Sequence, residues 1–589
     1  MRPESSTRTD VRSRPGLVIA LVAIAALGFG VAVTSDLWSD LGGRMVAGNV
    51  PDATHYLWWL GHTPHALGQG ENPFTTLDMN WPEGVSAMNN TTLLLPAVLL
   101  WPVSWLAGSL VTLNVLNVLA VPACAAAGYW ALRQVPWDDD RIGRPAALVG
   151  GVAFGISPAI VNSLVGHITM AFAPGLALLI GLSVLAWHSE HSIRTGLWLG
   201  VAATAQVFTG EEVLFQAVVG AVLILLVAAA SRPRAVPAAA GRLLRALGVA
   251  FAVFLPITAY PLYLQFLGPL KQTGSPFLLD FFGADVTAFT TPTGQVLLHT
   301  AAQEAKAVTF AGGIEEHLAY LGWPLLITCL LTAMLCWRQV AVRCAAVALL
   351  VAMALSLGGR LWINGTWTEH PGPYRLFQSL PVTEASLATR FGLLAALFAA
   401  ALLGFAVHEV AVRVTRPLLG SLLAAGLSLV CLAPLAPVPL AVVAAPEIPT
   451  YFTRTAKTLP AESVALVLPY PVPGRPIAMR WQSAADYRFR MPGGYFLGPG
   501  PDGHAYVGGP ADPPTANLLA QVAETGQAVI TTPEQRAQAV VDLKAWGVDQ
   551  VVLGPDPAQA VLRQTMSSLL GREPQQIDGV DVWTDPVTS

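Results

Sequence analysis

The chain has 589 residues, of which 54% are hydrophobic and only 12% are charged. A charged share about half that of a soluble domain cannot cover a protein of this size, which excludes an ordinary soluble enzyme and a disordered chain. The composition indicates a protein that crosses a membrane several times. The net charge of −4 is small, so we expect no nucleic-acid partner.

About eleven apolar runs are each long enough to cross the ~30 Å core of a bilayer. The first follows a basic N-terminus, and no small-x-small cleavage site precedes Ser35, which favours a retained helix over a removed signal peptide. The runs lie near 17–34, 109–132, 146–165, 168–187, 195–210, 213–230, 246–266, 319–337, 344–358, 391–412 and 418–440.

The basic residues give these runs an orientation. With the N-terminus in the cytoplasm, 16 arginines fall on inner connections and six arginines or lysines on outer ones, as the positive-inside rule expects. Residues 92–107 are apolar but contain Pro96 and Pro102, and counting them as a full span would reverse this pattern downstream. We therefore interpret 92–107 as a re-entrant or interfacial piece.

The long connections all fall on the predicted outer side. They are 35–91, 267–318, 359–390 and the tail after about residue 445. We divide the chain into a transmembrane region, 1–445, with a large first outer loop, and an extracytoplasmic region, 446–589. Lysine is scarce beside alanine, glycine, proline and arginine, which suggests a GC-rich bacterial genome and a plasma-membrane location.

The tail is a different kind of sequence, in which the long apolar runs stop and short strands alternate with helices. This alternation predicts a small α/β domain. Thr532 as N-cap, Pro533 in the first turn and Gly547 at the end are typical boundaries of one of its helices. The predicted elements are strands at 464–471, 549–555 and 575–583 and helices at 531–547 and 556–571.

The Gly/Pro-rich segment 492–510 lies in this tail. It lacks the strand–GxGxxG–helix context of a phosphate-binding loop. We expect it instead to cover a substrate or to bind an acceptor.

The first outer loop holds the densest set of functional residue types. Asp52, His55 and Tyr56 stand at i, i+3 and i+4, so a helix would place them on one face, and Trp59 and His62 extend that surface. A carboxylate among aromatic side chains just outside a span suits a general base beside a sugar or a lipid. The alternative is structural: Asp52 caps the helix, and the tryptophans form an interfacial belt.

A basic N-terminus, one span and an outer loop that opens with an acid and an aromatic-rich helix resemble the GT-C superfamily, the multi-spanning glycosyltransferases that use polyprenyl-phosphate sugars. Several stretches are similar to a group of bacterial, largely actinobacterial, membrane glycosyltransferases. These stretches are PDATHYLWWLGHTPHAL, NPFTT with MNWPEGV, GHITMAFAPGLAL, EEHLAYLGWPLL, PYRLFQSLPV with ATRF, and MRWQSAADYRFRMPGGYF.

The resemblance implies a polytopic α-helical GT-C-like fold and a polyprenyl-phosphate sugar as the donor, and it maps the superfamily's acidic residue onto Asp52. The paired-acid form of some members is not matched because Ala53 follows, which speaks against a bidentate metal role. We predict no cofactor and leave a divalent metal ion open.

Two further groups of acids lie beside spans. Glu211 and Glu212 interrupt an otherwise uncharged stretch at the predicted outer face, where they are either functional or paired, or part of a short solvated hairpin. Glu315, Glu316 and His317 are consecutive, a poor geometry for one metal ion, which favours a solvated cap.

A phosphate-bearing donor needs cations near the outer interface, where few exist. The candidates are Lys306, Arg360, Arg375 and Arg390. Arg390 begins a span, so its guanidinium could grip a phosphate while its stem stays at the interface. Ordinary snorkelling of the side chain is the alternative.

These observations predict an inverting glycosyltransferase that moves a sugar from a polyprenyl-phosphate carrier to an extracytoplasmic glycan, lipid or protein. Asp52 would deprotonate the acceptor, and Arg375 or Arg390 would stabilise the leaving phosphate. A transporter or lipid-handling protein is the alternative, but it should carry paired intramembrane charges and a repeat of spans. A non-catalytic scaffold of the same shape is a third reading. The predicted substrate-binding residues are His55, Tyr56, Trp59, His62, Glu211, Glu212, Lys306, Arg375 and Arg390.

Overall fold

The computed structural model describes residues 27–138, 140–378, 386–508 and 513–586. Its chain is mostly helical, and within this part seven helices are long and apolar enough to cross a membrane. Trp323–Leu335 and Val340–Ser356 are shorter apolar helices. The seven are Ser109–Leu132, Arg144–Ser163, Ile168–His188, Glu211–Ser231, Pro233–Phe266, Ala388–Arg413 and Pro417–Leu435.

Most of the predicted spans coincide with these helices. Residues 17–26 of the first predicted run lie outside the described residues, and 27–33 are helical. The predicted span at 195–210 is the 16-residue helix Ser192–Val207. The predicted span at 146–165 consists of two helices, Arg144–Gly155 and Pro158–Ser163, which two residues separate. The number of crossings remains a prediction.

The proline-containing segment 92–107 forms two short helices, Leu94–Leu99 and Trp101–Ala107. Neither is long enough to cross a bilayer. Trp105 and Leu106 are 76% and 75% exposed, so the second helix turns large apolar side chains outward. This arrangement agrees with the re-entrant or interfacial interpretation.

Loops that are predicted to share a side contact one another. On the predicted inner side, Gln339 donates a hydrogen bond from Nε2 to Asp138 Oδ1 at 2.7 Å. On the predicted outer side, Asn89 donates from Nδ2 to the Leu270 carbonyl oxygen at 2.6 Å. Grouping of this kind is what a consistent alternation of spans requires.

The first outer loop is built around a 20-residue helix, Val50–Gln69, here called the outer-loop helix. A strand ahead of it, Arg44–Val46, pairs antiparallel with Val442–Ala444 from the end of the last long helix. A small hairpin, Thr75–Thr76 with Val85–Ser86, follows the helix. The pairing at residues 44–46 ties the start of the loop to the start of the tail.

The tail contains a five-stranded sheet with helices, and the single strand predicted at 575–583 is two strands in the structure. Its strands are β1 (Ser463–Leu468), β2 (Phe489–Arg490), β3 (Gln550–Leu553), β4 (Gln575–Ile577) and β5 (Val580–Thr584), in the order β2-β1-β3-β5-β4. Strands β2, β1 and β3 are parallel to one another. Strand β5 runs antiparallel to β3, and β4 runs antiparallel to β5. The helices of the tail are Thr450–Thr453, Ile477–Ala484, Pro514–Thr525, Pro533–Trp546 and Gln559–Leu570.

All six residues of β1 are buried, because both faces of the sheet are covered. Leu466 and Leu468 belong to a core formed with the helices of the tail. Val467 belongs to a second core that contains Trp58 of the outer-loop helix and Trp481 of the tail. A parallel strand covered on both faces is expected to be continuously apolar. The tail and the first outer loop therefore share a core, and the division at residue 446 remains a prediction.

The outer connections also contain a helix, Ala301–Ala307, and two hairpins. One hairpin pairs Arg360–Ile363 with Thr366–Pro371, and the other pairs Leu497–Pro499 with Ala505–Val507. The second hairpin is the middle of the Gly/Pro-rich segment. Its position brings the residues just before it, including Tyr495, onto the outer-loop helix.

Candidate active site

Asp52 lies in the first turn of the outer-loop helix, three residues after the N-cap. The cap is Asn49, whose side-chain oxygen accepts the Asp52 backbone N–H at 3.1 Å. A carboxylate in the first turn is stabilised by the helix dipole. The capping alternative for Asp52 is wrong, because Asn49 is the N-cap and the Asp52 carboxylate contacts Tyr495 and His167 instead.

Both oxygens of the Asp52 carboxylate are engaged. Oδ1 accepts a hydrogen bond from the Tyr495 hydroxyl at 2.5 Å, and Oδ2 lies 3.0 Å from Nε2 of His167. Burial raises the pKa of Asp52, but the hydrogen bond and the charge of His167, with the bond from Tyr495, outweigh burial and hold that pKa below its ordinary value. Asp52 is therefore an anion throughout the neutral range.

His167 connects Asp52 to a second carboxylate. Its Nδ1 lies 3.4 Å from Oε1 of Glu316, a charge contact rather than an aligned hydrogen bond. Burial lowers the pKa of His167, yet the neighbouring carboxylates of Glu316 and Asp52 raise it above its ordinary value. An imidazole between two carboxylates is thus stabilised in its protonated form.

Arg390 holds the far end of this chain of contacts. Its guanidinium donates to Glu316 Oε1 from Nη2 at 2.6 Å and from Nε at 3.1 Å, and also to Oε2 at 3.2 Å. Nη1 donates to Oε2 of Glu212 at 2.5 Å. Glu212 also accepts from the Ser386 hydroxyl at 2.9 Å. The guanidinium of Arg390 is therefore paired with two carboxylates, those of Glu316 and Glu212.

We call Tyr495, Asp52, His167, Glu316, Arg390 and Glu212 the charged network. Its members come from the first loop, the residue before Ile168–His188, three further segments at their predicted outer ends, and the tail. Glu316 is only 3% exposed. With three carboxylates and one guanidinium, the network stays negative even when its imidazole is protonated. Buried charge of this kind is costly unless it is paired and hydrogen-bonded.

His55 and Tyr56 lie on the same face of the helix as Asp52, as their spacing predicts. His55 donates from Nδ1 to the Tyr495 carbonyl oxygen at 2.9 Å, so its Nδ1 carries a proton. The Tyr56 hydroxyl lies 3.5 Å from Oγ1 of Thr169, and burial raises the pKa of Tyr56 to about 12. His55 packs this face of the helix against the tail, whereas Tyr56 packs it against the core of the long helices.

Trp59 and His62 are placed in the interior rather than beside open space. Trp59 is fully buried, and His62 is 1% exposed. The imidazole of His62 stacks on Trp58 with ring centres 4.4 Å apart, and its Nε2 lies 3.1 Å from Asp78 Oδ2. Because both side chains fill the core shared with the tail, the structure gives them a packing role, not the substrate contact expected from the sequence. The interfacial-belt alternative for the tryptophans fails for the same reason.

The remaining candidates from the sequence are Glu211, Lys306 and Arg375. Glu211 lies outside the charged network and accepts from Gln265 Nε2 at 2.8 Å. Lys306 is half-buried and donates from Nζ to Oδ1 of Asn364 at 2.9 Å. Arg375 is exposed, and among the described residues no carboxylate lies within ion-pair distance of it. The expectation that Arg390 is free for phosphate is wrong, because two glutamates occupy it.

Sequence reasoning missed three members of the network. His167 lies in the GHITM stretch and Tyr495 in the Gly/Pro-rich segment, and neither was singled out. Glu316 was expected in a solvated cap, which is wrong because this side chain is buried. Partners separated by 74 to 443 residues leave no local pattern. The available signal was only that the stretches carrying them resemble one family.

The Asp52 side chain is 13% exposed, and both of its carboxylate oxygens are occupied, Oδ1 by the Tyr495 hydroxyl and Oδ2 by His167. Among the described residues, no group of three or more His, Cys, Asp or Glu side chains is arranged to hold a metal ion. A substrate would have to displace Tyr495 to reach the carboxylate.

No family model and no curated protein matches the chain. Several solved structures are similar to it. An oligosaccharyltransferase of Archaeoglobus fulgidus, in complex with Zn and sulfate, is 13% identical over 90% of this chain and 68% of its own, with a TM-score of 0.47. ArnT from Cupriavidus metallidurans, bound to undecaprenyl phosphate, is 13% identical over 98% of this chain and 99% of its own, with a TM-score of 0.47.

A third similar structure is the arabinofuranosyltransferase AftD from Mycobacteria. It is 15% identical over 96% of this chain and 41% of its own, with a TM-score of 0.49, so this chain spans less than half of AftD. All three likenesses concern the fold alone.

Proposed function

We propose that the chain is an inverting membrane glycosyltransferase of the GT-C type. It moves a sugar from a polyprenyl-phosphate carrier to an acceptor on the outer side of the membrane. The observation that carries this proposal is the contact of Asp52, whose carboxylate accepts a hydrogen bond from the Tyr495 hydroxyl at 2.5 Å and whose pKa is held below its ordinary value. That is the contact a general base makes with an acceptor alcohol.

In this proposal the Tyr495 hydroxyl occupies the position of the acceptor hydroxyl. The acceptor O–H replaces it and donates to Oδ1 of Asp52. As the proton passes to the carboxylate, the acceptor oxygen attacks the anomeric carbon, and the bond from that carbon to the phosphate oxygen breaks. The electron pair leaves with the phosphate, which is a stable anion and needs no proton. A single displacement inverts the anomeric configuration.

His167 acts as a positioning residue. It holds Oδ2 of Asp52 at 3.0 Å, which leaves Oδ1 for the acceptor. Glu316, fixed by Arg390, lies on the other side of the imidazole and favours its protonated form. The network thereby orients the base without contacting the sugar.

We assign the leaving phosphate to Arg375 rather than Arg390. The Arg375 side chain is exposed, whereas the Arg390 guanidinium is held by two carboxylates. The neighbouring Tyr374 hydroxyl donates to the Ser386 carbonyl oxygen, and the Ser386 hydroxyl donates to Glu212. These contacts connect the residue before Arg375 to Glu212 through Ser386. A planar guanidinium with free donors suits a phosphate.

The proposal is tested with purified protein and a panel of polyprenyl-phosphate sugars labelled in the sugar. Release of polyprenyl phosphate together with labelled acceptor supports it. Arg375→Gln should raise the KM for the donor about tenfold, as expected for one lost charge-assisted contact. Lys306→Gln, at a half-buried cation bonded to Asn364, serves as the control. Absence of transfer from every lipid-linked sugar, with the protein folded, contradicts the proposal.

A further inference from the structure

A cavity of about 360 Å³ lies at the end of the helices away from Asp52. Its lining runs from residues in the middle of several predicted spans, such as Ile180 and Leu397, to residues at the short basic connections, such as Arg232. This volume falls within the ~300–1,000 Å³ typical of small-molecule sites. Representative apolar lining residues are Ile180, Val184, Leu225, Ala228, Leu397 and Phe398.

The polar residues of this cavity are gathered near one end. Arg232 and Arg242 line it together with Asp138. Arg242 is engaged: Nη1 lies 3.3 Å from Oε1 of Glu190, and Nη2 donates to the Trp187 carbonyl oxygen at 3.1 Å. Arg232 is exposed, and within the described part of the chain it has no carboxylate at ion-pair distance.

The segment that carries these arginines is strongly basic. Residues 232–245 contain four arginines and no acid. The apolar wall and the basic end therefore match the two parts of an anionic amphiphile, a hydrocarbon chain and a phosphate. A soluble anion would leave the apolar wall empty, and a neutral hydrocarbon would leave the free guanidinium of Arg232 without a partner.

We propose that this cavity binds an anionic membrane phospholipid. One acyl chain fills the space between the helices, and the phosphate accepts hydrogen bonds from Arg232. Arg242, fixed against Trp187 and Glu190, shapes the rim. A phosphate between a guanidinium and an interfacial surface forms a charge-assisted contact, and basic pockets between helices on the cytoplasmic side suit anionic head groups. This site is independent of sugar transfer, because it lies at the opposite end from Asp52.

The occupant is a phospholipid rather than the proposed polyprenyl-phosphate donor. A donor bound here would hold its phosphate at the predicted inner face, where no member of the charged network could reach it. The basic segment at 232–245 lies where anionic phospholipids of the inner leaflet are available along the protein.

The test uses the full chain in detergent, titrated separately with phosphatidylglycerol, phosphatidylcholine and undecaprenyl phosphate and followed by native mass spectrometry. Wild type should bind one phosphatidylglycerol at least tenfold more tightly than phosphatidylcholine. Arg232→Gln should weaken that binding about tenfold, and Ala228→Phe should abolish it by filling the cavity. Arg234→Gln, an exposed arginine of the same segment, and Ala230→Phe, on the exposed side of the helix, are the matched controls.

Equal binding of the two phospholipids, or equal losses in Arg232→Gln and Arg234→Gln, would overturn the proposal. Tighter binding of undecaprenyl phosphate than of phosphatidylglycerol at the Arg232-dependent site would overturn the choice of ligand. Sugar transfer is not a readout here, and thermal melting of each variant confirms that it is folded. The result therefore stands whether or not the chain transfers sugars.

Discussion

Replacing Arg390 by Gln should destabilise the protein strongly. The substitution keeps a polar side chain but removes the charge and the fork that hold Glu316 and Glu212. Arg390 is 17% exposed in its side chain, and its two partners are 4% and 16% exposed. Removing one member of a buried, hydrogen-bonded ion pair typically costs about 3–5 kcal/mol because the remaining charge is left without compensation. We expect a loss in this range.

A loss of about 3–5 kcal/mol lowers the ratio of folded to unfolded protein by roughly a hundredfold to a few thousandfold. It is measured by unfolding the purified chain in mixed micelles of mild detergent and dodecyl sulfate. Adding Glu316→Gln to Arg390→Gln should restore part of the loss, because the double variant leaves only one carboxylate of the pair charged. Arg375→Gln is the control and should change stability by less than about 0.5 kcal/mol.

A loss below about 1 kcal/mol for Arg390→Gln would refute the reasoning, since that is the range of a solvent-exposed ion pair.

Three other predictions concern the surroundings of Asp52. Tyr495→Phe removes the hydroxyl that covers Asp52, so it should lower the KM for the acceptor in a transfer assay and cost about 0.5–1.5 kcal/mol of stability; an unchanged KM contradicts the covering role. The pKa of His167 is raised in the folded state, so the stability that His167 contributes is full below its ordinary pKa of 6.5 and is lost as pH rises through the raised pKa. The pKa of Asp52 is lowered, so the stability that Asp52 contributes is present above its ordinary pKa of 3.8 and is lost as pH falls through the lowered pKa. Melting curves between pH 5 and 9 should therefore decline on the alkaline side in wild type but not in His167→Gln. Gln482 is fully buried and accepts from Trp58 Nε1 at 2.8 Å; Gln482→Leu leaves that donor unpaired and should cost about 1–3 kcal/mol, and it should make the tail easier to cleave with a protease.

The elements of the tail could be predicted from the sequence because their boundaries are local. Thr532 caps its helix by accepting the Gln535 backbone N–H, Pro533 lies in the first turn, and Gly547 ends the helix in the left-handed region. Each of these signals lies within a few residues of the place it marks. The buried strand β1 was also predictable, since a run of apolar residues reflects burial on both faces.

The charged network could not be predicted, because its contacts join segments that are far apart in the chain. Asp52 was found from its setting beside aromatic residues at helical spacing. Glu316, next to Glu315 and before a histidine, has the local pattern of a solvated turn, and only the packing of Arg390 over it makes it a buried ion-pair partner. The same contact explains why Arg390, correctly placed at the start of a span, is not free for phosphate.

The most direct test of the account is the turnover of labelled sugar by Asp52→Asn, measured at saturating donor and acceptor beside Asp36→Asn, an exposed aspartate of the same loop. Loss of a general base should reduce kcat by about 10²–10⁴-fold, with donor affinity unchanged and with Asp36→Asn equal to wild type. A kcat for Asp52→Asn within about threefold of wild type would contradict the central claim that this carboxylate activates the acceptor.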